Sequence, residues 1–179
     1  VTGGAIDVLL LGVVKDESKG NNSGASFVVF GRSDGANIEL SQIELGANNG
    51  GFVINGADAS DFTGFAVSAA GDVNGDGLAD LIVGAYGRDP NGDRSGASFV
   101  VFGKTDGGVV ELSTVLAGTG GFAINGVSSS DRSGVSVSSA GDINGDGLAD
   151  VIVGAHFDAP NGQTSGASFV VFGTTGSST

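Results

Sequence analysis

The sequence has 179 residues, of which 40% are apolar, enough to bury a globular core. Its 20 acidic residues against 7 Lys and Arg give a formal charge of −13, which argues against nucleic acid and anionic membrane surfaces as partners. Cys is absent, so there is no disulfide framework, and the absence of Met suggests a processed product or an excerpt of a longer protein.

The N-terminal part of the chain contains its longest apolar run, from Val8 to Val14. This run is much shorter than the roughly 20 residues that a transmembrane helix requires. We therefore expect no membrane insertion.

Two phrases recur along the chain. SGASFVVFG begins at Ser23, Ser95 and Ser165, and GGFVING at Gly50 is matched by GGFAING at Gly120. Residues 50–103 and 120–173 align without a gap and are identical at 37 of 54 positions. Self-similarity at a fixed spacing is typical of a repeat architecture. The chain is therefore an array of similar units.

Each unit contains four short segments of strand composition. In the second unit they are residues 64–71, 79–85, 96–103 and 120–126, rich in Val, Ile, Phe and Ala and bounded by Gly, Asn or Asp. The best helical candidate, residues 38–45, spans one or two turns. Four strands per unit at a period above 40 favour propeller blades over a β-helix, the alternative, whose coils are shorter.

The predicted fold is therefore all-β, with β-propeller blades of four antiparallel strands. Residues 1–56 form a partial blade with strands two to four, residues 57–126 a complete blade, and residues 127–179 a partial blade with strands one to three. These are about two and a half blades, whereas closed propellers have about four to eight. We expect either further blades in a longer chain or self-association through the open ends.

An acidic loop joins the first and second strands of two units. It is DVNGDGLAD at 72–80 and DINGDGLAD at 142–150. Oxygen donors at loop positions 1, 3, 5 and 9, with a backbone carbonyl at position 7, form a hard all-oxygen set suited to calcium. Zinc would prefer His or Cys, and magnesium is the second choice. The predicted ligands of two Ca²⁺ ions are Asp72, Asn74, Asp76, Leu78 and Asp80, and Asp142, Asn144, Asp146, Leu148 and Asp150.

The loop differs from an EF-hand, because position 12 is Val83 or Val153 within an apolar run instead of a Glu. An ordinary Asp- and Asn-rich turn is the alternative interpretation. Retention of all four side-chain donors in both copies, while Val73 changes to Ile143, favours the metal site. Residues 4–12 resemble the end of such a loop, with Asp7 in the place of Asp80, but they lack the earlier donors.

The strand, the D-x-N-x-D-G-x-x-D loop and the following L-I-V-G-A segment together resemble the FG-GAP repeat of integrin α-subunit β-propellers and their bacterial relatives. The resemblance covers essentially the whole chain. The Phe-Gly pair is reversed at Gly64-Phe65, and Gly-Ala-Pro becomes Gly-Ala followed by Tyr86 or His156. The resemblance implies a calcium ion in each such hairpin, on the face away from ligand.

The two aligned units differ mostly in two connections, at residues 57–66 and 86–94. Both connections are expected on the face opposite the acidic loops, although loops diverge in any case. This face carries three of the four Arg residues and the only Tyr and His, and it is our candidate surface for a protein or glycan ligand. Its residues are Phe62, Tyr86, Arg88, Arg94, Arg132, His156 and Phe157.

The sequence contains no nucleophile–base arrangement, and the single His156 is expected to be an exposed loop residue. We therefore expect a non-enzymatic, extracellular or cell-surface protein of adhesion or protein interaction, with structural calcium. Two alternatives are a carbohydrate-binding propeller or accessory propeller of a polysaccharide-active enzyme, and a structural repeat of a surface layer or filament.

Overall fold

A computed structural model describes residues 8–17, 19–46, 50–162 and 165–175. The chain forms eleven strands and two short helices within these ranges. They are β1 (Val8–Val13), β2 (Ala25–Phe30), α1 (Leu40–Glu44), β3 (Gly51–Asn55), β4 (Val67–Gly71), β5 (Asp80–Ala85), β6 (Ala97–Val101), β7 (Val110–Glu111), α2 (Leu112–Leu116), β8 (Gly121–Asn125), β9 (Ser136–Gly141), β10 (Asp150–Ala155) and β11 (Ala167–Val171).

The strands form three sheets in the order of the chain. Sheet 1 has the order β1-β2-β3-β7, sheet 2 the order β4-β5-β6-β8, and sheet 3 the order β9-β10-β11. Pairing is antiparallel throughout, apart from the parallel pairing of β7 with β3. These sheets are the blades of a partial β-propeller, which confirms the predicted fold class.

Sheet 2 buries both of its faces, because it lies between sheets 1 and 3. Val28 and Ile54 of sheet 1 pack with Val83 and Phe99 of sheet 2 in one apolar cluster. The other face of sheet 2, which includes Ile82 and Val100, packs with Val151 and Val153 of sheet 3 in a second cluster. Burial of both faces explains why the strands contain continuous apolar runs such as SFVVF in place of strict alternation.

The four predicted strands of the second unit are present, each within its predicted range but shorter. The largest difference is at the start of the first strand. The second unit was expected to begin its first strand at Gly64, but β4 begins at Val67. Gly64 has a φ of 84° and belongs to the preceding turn, where an added Cβ would lie 2.4 Å from the carbonyl oxygen of Ala25. The predicted start of the strand is therefore a turn in which Gly64 approaches sheet 1 closely.

The sequence did not predict two elements of the structure, helix α2 and the two-residue strand β7. Helix α1 lies within the predicted helical segment 38–45. Strand β7 comes from the second unit but extends sheet 1, with Asn55 opposite Glu111. The side-chain amide of Asn55 donates to Glu111 at 2.9 Å, and Lys19 forms an ion pair with the same carboxylate.

The assignment of Asp7 to the position of Asp80 requires correction. Asp7 itself lies outside the described residues. In the described strands, Leu11 pairs with Phe27 as Val83 pairs with Phe99, and Phe27 and Phe99 occupy the same place in the repeated SGASFVVFG. This register places Val8 at the position equivalent to Asp80, because one more residue separates Asp7 from Gly12 than separates Asp80 from the equivalent Gly84.

In the ranges described, no helix has the length and apolar character needed to cross a membrane.

The close approach of neighbouring sheets predicts different effects for one substitution in two repeats. An Ala Cβ at Gly84 would lie 2.0 Å from the carbonyl oxygen of Gly134, whereas at the equivalent Gly154 it would meet the Ser136 hydroxyl, a movable side-chain atom. We expect Gly84→Ala to lower the free energy of unfolding by about 1–3 kcal/mol and Gly154→Ala to lower it less. Urea denaturation of both variants tests this, and equal losses would contradict it.

Candidate metal centre

The two acidic loops lie between β4 and β5 in sheet 2 and between β9 and β10 in sheet 3. Each loop turns at two glycines in the left-handed region, Gly75 and Gly77 with φ of 78° and 84°, and Gly145 and Gly147 with φ of 77° and 91°. Since side chains at these positions would be strained, the glycines of the motif are explained by backbone geometry.

The first carboxylate of each loop organises the turn. Asp72 accepts hydrogen bonds from the backbone N–H groups of Gly75 at 2.7 Å, Asp76 at 3.1 Å and Gly77 at 2.9 Å. Asp142 accepts the equivalent three bonds at the same distances. The loop backbone therefore wraps around the carboxylate at position 1, which bonds three to five residues along the chain, farther than the two residues of an Asx turn.

The donors at positions 3 and 5 are joined to one another. The amide of Asn74 donates to Asp76 at 2.8 Å, and its carbonyl oxygen accepts from the backbone N–H of Asp76 at 2.9 Å. The other oxygen of Asp76 accepts from the N–H of Leu78. Asn144, Asp146 and Leu148 repeat this arrangement.

The carboxylate at position 9 has a different role in the fold. Asp80 is fully buried, and its two oxygens accept from Val73 N–H at 2.8 Å and from Gly103 N–H at 2.7 Å. Asp150 is also buried and makes the equivalent bonds to Ile143 and Gly173. One side chain in each repeat thus ties the start of the loop to the end of the third strand.

The electrostatic environments of the two buried carboxylates differ. Burial raises the pKa of Asp80, and the negative charges of Asp76 and Asp72 raise it further against the opposing effect of its two N–H donors. The pKa of Asp150 is lowered, chiefly by the hydrogen bond from Gly173. Sheet 3 packs over the region of Asp80, whereas Asp150 belongs to the last described sheet and has less protein around it.

The donor chemistry fits a hard divalent cation. Each loop supplies three carboxylates, one amide oxygen and the Leu78 or Leu148 carbonyl, and none of these carboxylates forms an ion pair with Lys or Arg in the part of the chain that the structure describes. Each carboxylate has about four lone-pair sites, so the N–H donors leave some available.

The described residues nevertheless contain no preformed cluster of three or more acidic, His or Cys side chains with the spacing of a metal site. The oxygens are instead directed to backbone N–H groups of the loop. The loops therefore satisfy the chemical requirement for calcium in ligand type but would have to bring the oxygens closer together around an ion.

The predicted ligand-face residues lie in two separate groups. Phe62 stacks on Tyr86 with ring centroids 5.2 Å apart, and the half-exposed Phe65 contacts Tyr86 edge-on at 4.7 Å. In the next repeat, the guanidinium of Arg132 lies 4.8 Å from the ring centroid of Phe157, which packs beside His156. Phe65 is not among the predicted residues, although its replacement by Val135 in the aligned unit marks it as one of the variable positions of this connection.

Arg88 and Arg94 of the predicted face have structural contacts. Arg88 bonds to Asp58 at 2.8 Å and to the buried Asp61 at 3.0 Å. The backbone N–H of Arg94 donates to Asp89. Asp61 is not among the predicted residues, although it and its counterpart Asp131 are identical within residues 57–66, where seven of the ten aligned positions differ.

The position and internal bonding of the two acidic loops agree with the matches to known proteins. The FG-GAP repeat matches residues 63–101 and 133–171, each range containing one loop and the strands around it.

The chain contains two FG-GAP repeats.

Two integrin α-subunits are similar to these repeats and their surroundings. Integrin alpha-PS2 of Drosophila melanogaster is 36% identical over 121 residues, covering 63% of this chain and 8% of that protein. Integrin alpha-4 of Xenopus laevis is 34% identical over 122 residues, covering 68% of this chain and 11% of that protein. The chain thus spans about a tenth of the length of these curated relatives, and the predicted resemblance to FG-GAP repeats of the integrin α type is confirmed.

The bonds of the buried carboxylate predict a stability difference that does not depend on metal. Asp80→Ala would leave the N–H groups of Val73 and Gly103 without their acceptor, so we expect a loss of about 3 kcal/mol of unfolding free energy. Asp76→Ala, at an exposed position of the same loop, should cost less than about 1 kcal/mol. Chemical denaturation in a chelating buffer measures both, and similar losses for the two variants would refute the assignment.

Proposed function

We propose that this chain is a calcium-stabilised FG-GAP β-propeller segment of an extracellular or cell-surface protein that acts in adhesion or protein interaction. The observation that carries the proposal is the pair of equally built acidic loops, each with three carboxylates that lack a basic ion-pair partner among the described residues. A bound Ca²⁺ would compensate this charge and hold each hairpin, so its role is structural.

The proposed ligands are those of the two loops, with Asp72, Asn74, Asp76, Leu78 and Asp80 in the first and their counterparts in the second. The three carboxylates of each loop lie close together in the sequence, and a divalent cation would offset the repulsion between their negative charges. In this arrangement Asp80 and Asp150 would serve both the fold and the ion.

Calcium availability supports the proposed location outside the cell. Extracellular calcium modules bind at about 10⁻⁴–10⁻³ M, so sites of this class are filled in extracellular fluid and largely empty in cytosol. We also propose that the chain has no catalytic activity of its own, since its sequence contains no nucleophile–base arrangement.

Calcium binding is tested by titration calorimetry and thermal unfolding. We expect two ions per chain for the unmodified protein, one for Asp76→Ala or Asp146→Ala, and none for the double variant. At a calcium concentration about ten times Kd, each filled site adds about 1.4 kcal/mol of stability. Magnesium should stabilise less, because it requires a tighter octahedral site.

Asp93→Ala, an exposed acidic residue outside both loops, is the matched control for charge and should retain both ions. Identical melting curves in calcium and in chelator would disprove the metal assignment. Equal stoichiometry in the unmodified protein and the double loop variant would place any bound calcium elsewhere.

For ligand binding, we propose the surface formed by the connections at residues 57–66 and 86–94 and their counterparts in the next repeat. The stacked rings of Phe62 and Tyr86 with the half-exposed Phe65 provide an apolar patch for a protein ligand. Exposed aromatic rings also suit a carbohydrate ligand, which is the second candidate, so the two must be separated by experiment.

The ligand surface is tested with an array of purified extracellular matrix proteins and a glycan array, both in calcium. We expect Phe65→Ser to reduce binding to matrix proteins about tenfold or more, which corresponds to about 1.4 kcal/mol for a central aromatic contact. Ile143→Ser, which changes an exposed apolar residue of an acidic loop outside the proposed surface, is the control and should bind normally. Binding only to glycans would favour the second candidate, and equal losses in both variants would reject this surface.

A further inference from the structure

Asparagine residues that precede glycine can lose their side-chain amide, because glycine has no Cβ to hinder attack of its backbone nitrogen on the amide carbon. The sequence contains seven such pairs, which begin at Asn49, Asn55, Asn74, Asn91, Asn125, Asn144 and Asn161. We propose that the two acidic loops promote this reaction on their own asparagines. Asn74 and Asn144 are then modification sites, at which an amide is converted to a carboxylate while the loop holds no metal.

The nitrogen that would attack is bound to a base in each loop. The backbone N–H of Gly75, which must lose its proton during the attack, donates to Asp72 Oδ1 at 2.7 Å. The backbone N–H of Gly145 donates to Asp142 Oδ1 at the same distance. A carboxylate within about 2.6–3.2 Å of the atom whose proton it takes can act as a general base. Each loop therefore places a nucleophile and a base in contact.

The amide that would be attacked is oriented by the same loop. The side-chain carbonyl oxygen of Asn74 accepts from the backbone N–H of Asp76 at 2.9 Å, and the side-chain NH2 donates to the Asp76 carboxylate at 2.8 Å. Since Asp76 follows Gly75, the first bond folds the side chain back over the Gly75 peptide, as in an Asx turn. A donor at this oxygen also stabilises the negative charge that develops there during the attack. Asn144 and Asp146 have the same two bonds, at 3.0 and 2.8 Å.

The reaction requires only water as a co-reactant. The bond between Gly75 N and Asn74 Cγ forms and the Cγ–Nδ2 bond breaks, while the proton of Gly75 passes through Asp72 to the leaving nitrogen, which departs as ammonia. Water then opens the cyclic imide. Opening at Cγ gives aspartate, and opening at the backbone carbonyl gives isoaspartate, whose main chain runs through the side-chain carbonyl carbon. Each asparagine reacts once, so this is self-modification and not turnover of a substrate.

Three other Asn-Gly pairs lack the carboxylate at the reacting nitrogen. The N–H groups of Gly56, Gly126 and Gly162 donate to backbone carbonyl oxygens. A carbonyl oxygen is a much weaker base than a carboxylate, so these glycines are not activated. Asn161 is the best internal control, because it lies in an exposed connection and the φ of Gly162, 115°, is also in the left-handed region.

The two products would affect a loop differently. Aspartate keeps the length of the main chain and adds a carboxylate at loop position 3, whereas isoaspartate lengthens the main chain and would displace the donors that follow. Because Asn74 is also a proposed calcium ligand, a bound ion would compete for its amide oxygen. The reaction is therefore tested in chelator, where its failure leaves the calcium assignment unaffected.

The first experiment is incubation of the folded chain with EDTA below its melting temperature, followed by proteolysis and mass spectrometry of the peptides. Exchange of NH2 for OH raises the mass, and chromatography separates the aspartate and isoaspartate forms. We expect Asn74 and Asn144 to convert about tenfold or more faster than Asn161. In urea, where the loop contacts are lost, the three rates should become similar. The same ratio of rates in the folded and the unfolded chain would overturn the proposal.

The second experiment removes the base from one loop at a time. Asp72→Asn keeps an oxygen that can accept from Gly75 but cannot take its proton. Conversion of Asn74 should slow about tenfold or more, while Asn144 in the same molecules keeps its rate. Asp142→Asn should give the reverse pattern, so each variant carries its own control and either one suffices if the other does not fold. Circular dichroism establishes that the variant retains its β-sheet structure.

Two results with these variants would reject the role of the carboxylates. One is unchanged or faster conversion in the loop whose aspartate is replaced. The other is equal slowing in both loops, which would reflect a general change in the fold instead of the loss of one base.

Discussion

The burial of both apolar faces of a sheet between two neighbouring sheets is the constraint on which this structure depends. Val83 and Phe99 on one face of sheet 2 pack against sheet 1, while Ile82 and Val100 on the other face pack against sheet 3. Because both faces of such a sheet are apolar, a sheet without a neighbour exposes apolar side chains to solvent. The geometry of each repeat is thus determined by the repeats beside it.

The acidic loops depend on this stacking as well as on their own sequence. Asp80 forms its bonds to the loop and to the end of the third strand inside the protein, where burial raises its pKa. The loop carboxylates at positions 1 and 5 remain closer to solvent and bond within the turn. A buried carboxylate that bonds across the sheet and more exposed carboxylates that bond within the turn therefore share one short motif.

Much of this arrangement could be predicted from the sequence because the repeat is nearly exact. The strands and the loop glycines are local features, and two aligned copies separate fixed positions such as Asp80 from variable ones such as Val73. Strand β7 could not be predicted, since its two residues pair with a strand of another unit and have no periodicity of their own. The bonding of Asp80 was likewise hidden, because its partner Gly103 lies 23 residues away.

The pairing of β7 with sheet 1 also limits how such a protein can be rearranged. The segment before α2 belongs to one repeat by sequence but to the preceding sheet by hydrogen bonding, and Glu111 connects it to Asn55 and Lys19. Duplication or deletion of a repeat preserves every sheet only if the break separates β7 neither from β3, with which it pairs, nor from α2, which follows it. The segment that can be exchanged in evolution or in engineering therefore does not begin and end at the boundaries of a sheet.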